Sequence, residues 1–162
     1  MIKLDEYDLK ILEILQQDGR ISKVRLAEAI NLSASPAWSR LQRLEKEGVI
    51  RGYHVELDHR QLAAFTRVMV EITLASHQSA DFARFEEAIK AIPEIIECQA
   101  VGGGVDYLMH IVTRDIDSYQ RLIDRLLLDD IGIDKYYSYV VTKTVKQTSG
   151  LPLRRLLDKN PE

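Results

Sequence analysis

Apolar residues recur every three or four positions through the first fifty residues, which is the spacing of amphipathic α-helices. Asp5 can accept hydrogen bonds from the first free backbone amides of one helix, and Asp18-Gly19 can end that helix. Ser22 can cap a second, shorter helix in the same way. The pattern therefore predicts two helices before residue 31.

A third helix is predicted between a start signal at Ser35-Pro36 and a stop signal at Gly48. Only residues 31–33 separate it from the second helix. Two short helices joined by such a turn form a helix-turn-helix, whose second helix enters the major groove of DNA. Alternation over residues 49–55 predicts a short β-ribbon, as in a winged helix-turn-helix. The apolar stripe of the third helix recurs at i, i+4 and i+7 and consists of Ala37, Leu41 and Leu44.

Charge is unevenly distributed along this part of the chain. Residues 1–18 hold two Lys or Arg against five Asp or Glu, whereas residues 19–51 hold seven against three. The whole chain has a formal net charge of −3, so a surface for DNA must be local. The side chains predicted to contact DNA from the third helix and its flanks are Ser33, Ser35, Pro36, Trp38, Ser39, Arg40, Gln42, Arg43, Lys46 and Arg51.

The role of each predicted contact stays open at this point. Arg40 and Arg43 could each hold a guanine edge by two hydrogen bonds, or they could hold backbone phosphate. Trp38, the only tryptophan, could lie against DNA or pack beneath the ribbon. A charged helix face can also be merely solvated, but helix caps, turn length and apolar spacing all agree with DNA binding.

The second half of the chain predicts an α+β domain. Apolar and polar residues alternate from Val68 to Leu74, as in a half-buried strand, and a run of three glycines at residues 102–104 predicts a hairpin turn. The order βαββαβ is that of the ferredoxin-like split arrangement. The predicted elements are a strand over 68–74, a helix over 82–92, strands over 95–101 and 105–113, a helix over 117–128 and a strand over 135–146.

Such a sheet carries helices on one face only, so something must cover the other face. A second copy of the chain is the simplest cover. We therefore expect two of these domains to pack sheet to sheet as a dimer.

Other features argue against membrane proteins, secreted proteins and enzymes. A single cysteine, Cys98, excludes an intrachain disulfide framework and fits a reducing cytosol. No apolar run approaches 18 residues, and charges lie within the first few positions, so we expect neither a membrane span nor a signal peptide. A catalytic or metal-binding spacing is missing from the four histidines, which are His54, His59, His77 and His110.

Four blocks of the sequence resemble the leucine-responsive regulator/AsnC (Lrp/AsnC) family. They are LDEYDLKILEILQQDGRIS, LAEAINLSASPAWSRLQRLEKEGVIRGYHVELD, EITL and EIIECQAVGGGVDYLMHIV, and the family's P-x-x-x-R block falls on Pro36 to Arg40. The resemblance implies a cytoplasmic, nucleoid-associated transcription regulator of a prokaryote. It also implies dimers that associate into tetramers or octamers and bind an amino acid between subunits. No other cofactor and no metal is expected.

The resemblance also implies a set of effector-binding residues. The family's G-x-x-D stretch falls on Gly103 to Asp106, but many members carry Asp where this chain has Gly104. Glycines let a backbone approach a small ligand, and a nearby carboxylate can pair with its ammonium group. A glycine-rich hairpin also forms without any ligand. The implied effector residues are Ala100, Gly102, Gly103, Gly104, Asp106, Ile116, Tyr139, Val140 and Val141.

The predicted organisation is a winged helix-turn-helix domain at 1–57, a linker at 58–65, an effector-binding and oligomerisation domain at 66–147 and a tail at 148–162. The tail could be frayed, contact a subunit or touch wrapped DNA. A dimer predicts an approximately palindromic operator in double-stranded DNA. The alternatives are a nucleoid-shaping protein that binds DNA broadly and, less favoured, a small ferredoxin-like enzyme.

Overall fold

The computed structural model describes residues 2–58, 61–148 and 150–157. The chain forms two compact units, one combining Met1–Glu56 with Lys146–Glu162 and the other spanning Leu57–Val145. Of the positions considered above, His59 and the tail beyond residue 157 lie outside the described residues. Each unit has its own hydrophobic core.

Three helices build the first unit: α1 at Glu6–Gln17, α2 at Lys23–Ala29 and α3 at Ala34–Lys46. Asp5 caps α1 by accepting from the backbone of the first turn, and the Asp8 side chain accepts from the Asp5 amide in return. This reciprocal capping box satisfies the amides that a helix start leaves free. The predicted cap of α2 at Ser22 is confirmed, since its hydroxyl accepts from the amide of Arg25.

The predicted start of α3 at Ser35-Pro36 is wrong by two residues. Ser33 is the N-cap and Ala34 is the first helical residue, although the Ser33 side chain makes no capping hydrogen bond. Pro36 is thus the third helical residue, where it is tolerated because the first-turn amides have no partner inside the helix. A serine before a proline is therefore an ambiguous start signal when another serine precedes it.

The predicted β-ribbon over 49–55 is absent from the described residues, which carry no strand between α3 and residue 58. Val49 and Ile50 pack against the first core, whereas residues 51–58 are exposed. A strand is held by hydrogen bonds to a neighbouring strand, and the described part of this unit offers none. The alternation of apolar and polar residues over 49–55 does not show whether a neighbouring strand is present.

The second unit is a four-stranded antiparallel sheet with two helices. Its strand order β2-β3-β1-β4 places the first and third strands at the centre, as the predicted ferredoxin-like arrangement requires. The elements are β1 at Thr66–Leu74, α4 at Ser79–Lys90, β2 at Ile95–Ala100, β3 at Tyr107–Thr113, α5 at Ile116–Leu128 and β4 at Ile133–Val140.

The fourth strand is shorter than the predicted segment 135–146. It begins at Ile133 and ends at Val140, and the amide of Val141 makes a last hydrogen bond to the carbonyl of Arg67. Its only neighbour in the sheet is β1, whose first residue is Thr66. Beyond Val141 the segment therefore has almost no partner residues left.

The core of the second unit lies between the sheet and its two helices. Alternate residues of β1 and β3 point into it, so that both central strands have one buried and one open side. Phe85 of α4 and Leu126 of α5 are fully buried against them. The buried residues of the sheet and its ends are Val68, Val70, Ile72, Leu74, Tyr107, Met109, Ile111 and Ile131.

The segment after residue 145 returns to the first unit and packs against α1. It forms a short helix, α6, at Leu153–Leu157. The Gln16 side chain accepts from the amide of Leu151 (2.6 Å) and donates to its carbonyl (3.3 Å). Arg154 pairs with Glu6 (3.0 Å) and Glu13 (2.9 Å), two turns apart on α1. None of the three roles considered for the tail describes this arrangement, because residues 150–157 pack against the first unit of their own chain, where α6 is a fourth helix.

Replacing Leu153 with alanine should lower the free energy of unfolding of the first unit by about 1 kcal/mol, because Leu153 is partly buried against its core. The same replacement at Leu156, which is 61% exposed in the same helix, should change it by less than about 0.5 kcal/mol. Denaturant unfolding followed by the fluorescence of Trp38 measures both, since this single tryptophan lies in the first unit. Equal values for the two variants would contradict the packing of α6.

Candidate DNA-binding and effector surfaces

The α3 helix divides into a buried and an exposed side. Ala37, Leu41 and Leu44 face the first core, as predicted. The opposite side is polar and open to solvent, and Lys46 lies in its last turn. Most predicted DNA contacts are exposed on this side of the helix or in the residues that flank it: Ser33, Ser35, Pro36, Ser39, Gln42, Arg43, Lys46 and Arg51.

Arg40 and Arg43 do not project freely from this surface, because acidic residues at the start of α1 hold both. Arg40 Nη1 donates to Asp5 Oδ2 (2.6 Å) and to Asp8 Oδ1 (2.9 Å). Arg43 Nη2 donates to the other oxygen of Asp8. The negative segment 1–18 and the positive segment 19–51 are therefore partly neutralised by each other in space.

The ion pairs change the acid-base properties of this cluster. Partial burial acts to raise the pKa of Asp5, but hydrogen bonds from the Asp8 amide and from Arg40 outweigh it and lower that pKa. The hydrogen bond to Asp5 and the contact with Asp8 raise the pKa of Arg40. The Arg40 guanidinium also lies 5.2 Å from the centre of the Tyr7 ring, within cation–π range. Asp5 and Arg40 are therefore both charged near neutral pH.

Trp38 is partly buried and packs against the first core. The ammonium group of Lys23, from α2, lies 3.2 Å from the centre of its ring. This contact joins α2 to α3, and it also places a cation beside the helix start. The Lys23 ammonium group thus occupies one face of the Trp38 ring.

Two residues that the sequence analysis did not include in the DNA surface contact side chains of α3. Asp8 pairs with Arg40 and Arg43, and Lys23 lies over the ring of Trp38. Asp8 was detectable only as the second half of a capping box, since it follows Asp5 by three residues. Neither its pairing with Arg40 nor that with Arg43 could be anticipated, because these partners lie 32 and 35 residues away.

The predicted effector residues fall into two groups at opposite ends of the sheet. In the register, Tyr107 at the glycine-loop end pairs with Ile72, whereas Val140 at the other end pairs with Val68. Four residues of β1 separate these ends, or roughly 13 Å. One group is Ala100, Gly102, Gly103, Gly104 and Asp106, and the other is Ile116, Tyr139, Val140 and Val141. A molecule as small as an amino acid cannot touch both groups within one chain.

Asp106 is already engaged by its own chain. Its Oδ2 accepts from the amide of Leu74 (2.8 Å) and lies 3.1 Å from Nε2 of His77. Its own amide donates to the carbonyl of Ile72. The hydrogen bond from Leu74 lowers the pKa of Asp106, and His77 contributes in the same direction. Asp106 therefore anchors the glycine loop to the end of β1.

The glycine loop is open on the outside. A Cβ added at Gly102, Gly103 or Gly104 would meet no atom within 4 Å, although the positive φ of Gly103 (149°) disfavours any side chain there. Beside the loop lies an open cavity of about 520 Å³, lined in part by Phe82, Ala100 and Asp106. The loop can therefore be approached closely from solvent.

Features expected of other classes of protein are not found in the described part of the chain. Residues 2–58, 61–148 and 150–157 contain no cluster of three potential metal ligands. In the same residues, no helix combines the length and apolar character needed to cross a bilayer. Burial and the nearby Glu86 raise the pKa of the Cys98 thiol to about 11, so it stays protonated at neutral pH, as an inert packed cysteine does.

In comparison with known proteins, each of the two units matches a family model. A family model described as winged helix-turn-helix DNA-binding matches residues 4–51, and one described as the Lrp/AsnC ligand binding domain matches residues 67–151. The chain belongs to the Lrp/AsnC family. It is a DNA-binding transcriptional regulator whose second unit binds a small effector.

Individual relatives of this Lrp/AsnC regulator match over nearly their whole length. The transcriptional regulatory protein DoeX of Halomonas elongata is 57% identical, covering 91% of this chain and 94% of its own. The leucine-responsive regulatory protein of Haemophilus influenzae is 42% identical, covering 93% and 91%. The crystal structure of a regulator from Neisseria meningitidis, in complex with L-methionine, superposes with a TM-score of 0.89 at 31% identity and covers 96% of this chain and all of its own.

Asp106 should make the free energy of unfolding depend on pH under acidic conditions. Its pKa is lower in the folded chain than the unfolded value of about 3.9, so it stabilises the fold above that value. The contribution disappears as the pH falls through the lowered folded pKa. The gap in unfolding free energy between the wild type and Asp106→Asn should therefore be widest near neutral pH and narrow below about pH 4. A constant gap between pH 7 and pH 3, measured by denaturant unfolding, would contradict this role.

Proposed function

We propose that this Lrp/AsnC regulator acts as a dimer that presents two α3 helices to a palindromic operator and binds an amino acid effector between its two copies. The observation that carries the proposal is the open face of the sheet. Met69 is 41% exposed there, and Tyr137 and Tyr139 are 56% and 52% exposed. Contiguous apolar and aromatic surface of this kind is typical of a protein interface.

The polar groups on the same face already have partners within their own chain. His110 Nδ1 lies 3.0 Å from Glu97 Oε2, and the hydroxyl of Tyr139 donates to Glu71. Burying a polar group is costly when it loses water without gaining a partner. Because these groups already pair within the chain, a second sheet could cover them at a lower cost than it could cover unpaired groups.

Dimerisation would also overcome the limited contact that one helix makes with DNA. The exposed side of α3 offers few side chains that can reach base edges, among them Ser35, Ser39, Gln42 and Arg43. Two copies related by a two-fold axis double these contacts and fix the spacing of two half-sites. This supports an operator with approximate two-fold symmetry.

The separation of the predicted effector residues supports a site shared between copies. A two-fold axis that reverses strand direction would bring the glycine-loop end of one sheet over the Tyr139 end of the other. Each effector would then contact Gly104 of one copy and Tyr139 of the other. The amino-acid class is supported by two relatives, one named as leucine-responsive and one solved with L-methionine.

Met69→Glu should convert the dimer into a monomer of 18.6 kDa in sedimentation at micromolar concentration, because it places a charge at the centre of the open face. Val24→Glu is the matched control: Val24 is 60% exposed on α2, so this variant should sediment as the wild type does. A wild-type chain that sediments only as a monomer would overturn the proposed dimer.

Effector binding can be tested by calorimetric titration with L-leucine and L-methionine, comparing the wild type with Gly104→Leu and Tyr139→Ala. Each variant should weaken binding at least about tenfold, because each alters one side of the shared site. Gly104 has open space and no positive φ, so Gly104→Leu should not lower the melting temperature appreciably. Tyr139 lies on the proposed dimer face, so sedimentation of Tyr139→Ala checks that this variant is still a dimer.

Mixing the two variants separates a shared site from one built within a single copy. In a mixed dimer, one site carries both changes, whereas the other joins an intact glycine loop to an intact Tyr139. Subunit exchange between the two variants should therefore restore saturable binding in about half of the sites of mixed dimers. No recovery after confirmed exchange would place both residues in one copy and contradict the proposal.

A further inference from the structure

Asp8 combines two properties that are seldom found together in a carboxylate side chain. Its side chain is buried, with 1% of its surface exposed, yet it carries a formal charge. Charged carboxylates are seldom buried unless they are paired, because burial removes the water that solvates them. The groups that bind the buried Asp8 carboxylate therefore indicate its role.

Two of those groups come from the DNA-reading helix. Oδ1 of Asp8 accepts from Arg40 (2.9 Å), while Oδ2 accepts from Arg43 and from the amide of Asp5 (3.0 Å). Both carboxylate oxygens are thus used, and one buried residue of α1 fixes two side chains one turn apart on α3.

The two arginines differ in what they have left to offer. Arg40 is 29% exposed and uses Nη1 for both Asp5 and Asp8. Arg43 is 44% exposed, and within the described residues it uses only Nη2, for Asp8. A guanidinium group has five N–H donors in a rigid fork, so Arg43 keeps donors for a second partner while the first holds its plane.

Charge balance shows what these arginines contribute to DNA binding. Asp5, Asp8, Arg40 and Arg43 together carry no net charge, so as a group they add little to a long-range attraction for phosphate. A fixed guanidinium with free donors can still recognise a base edge, and ordering it in advance removes part of the entropy lost on binding.

We propose that Asp8 is a positioning residue for DNA recognition, which holds Arg43 in the orientation that reads a base while Arg40 ties α3 to α1. Asp8 itself does not touch DNA in this scheme. The inference rests on α3 being the DNA-contacting helix of the matched winged helix-turn-helix.

A double-mutant cycle tests this coupling. The probes are a duplex selected by the wild-type protein from a randomised library and a random-sequence duplex of equal length. Asp8→Asn should weaken binding to the selected duplex about tenfold but change binding to the random duplex by less than about threefold. In the Arg43→Ala background the same change should cost less than about twofold, because the side chain that it positions is gone.

Asp5→Asn provides the matched control. Asparagine caps helices as well as aspartate does, and Asp5 has no bond to Arg43, so the ratio of the two affinities should stay at its wild-type value. Arg43→Lys adds a variant that does not depend on how Asp8→Asn folds. It keeps the charge but lacks the planar fork, so selectivity should fall while affinity for the random duplex is retained.

The outcomes that would overturn the proposal are specific. An Asp8→Asn variant that loses affinity for both duplexes equally, or whose loss is undiminished in the Arg43→Ala background, would show that Asp8 only stabilises the fold. An Arg43→Lys variant with full selectivity would show that Arg43 reads no base. Trp38 fluorescence and the melting temperature of each variant report whether the first unit is folded.

Discussion

The one-sided burial of the central strands is the constraint on which the arrangement of the second unit depends. In β1 and β3 every other side chain enters the core beneath α4 and α5, so the residues between them must face the other way. Met69 and Leu108 lie on that open side together with paired polar groups such as Glu97 and His110. The proposed dimer would use this open surface, and the predicted effector residues are separated along the same strands.

A second constraint acts in the first unit, where a small three-helix core is supported by ion pairs and by the returning C-terminal segment. Asp8 links α1 to α3, and Arg154 of α6 bridges two acidic residues of α1. Exposed ion pairs contribute little stability, but a carboxylate buried beneath two arginines defines the orientation of the groups around it. In a protein that presents a helix to DNA, such orientation is a functional property.

The features that could be predicted from the sequence are those set by near neighbours. The caps at Asp5 and Ser22 lie within three residues of the amides they satisfy, and the stripe on α3 follows from helical spacing. The βαββαβ order also followed from spacing, because a strand of alternating residues and an amphipathic helix differ in period. The start of α3 was misplaced because Ser33 and Ser35, two positions apart, offer the same local signal. The ribbon prediction was wrong for the described residues because a strand needs a partner strand, which alternation does not reveal.

The sequence by itself determined the order of the three N-terminal helices and of the βαββαβ elements, which residues are apolar enough to be buried, and to which family of regulators the chain is similar. Only the tertiary structure decided which charges meet, since Asp8 and Arg43 are 35 residues apart and Gln16 and Leu151 are 135 apart. It also decided that the glycine loop and Tyr139 lie at opposite ends of one sheet. The physical reason is range: hydrogen bonds along a helix act over three or four residues, whereas these contacts exist only after the chain has packed.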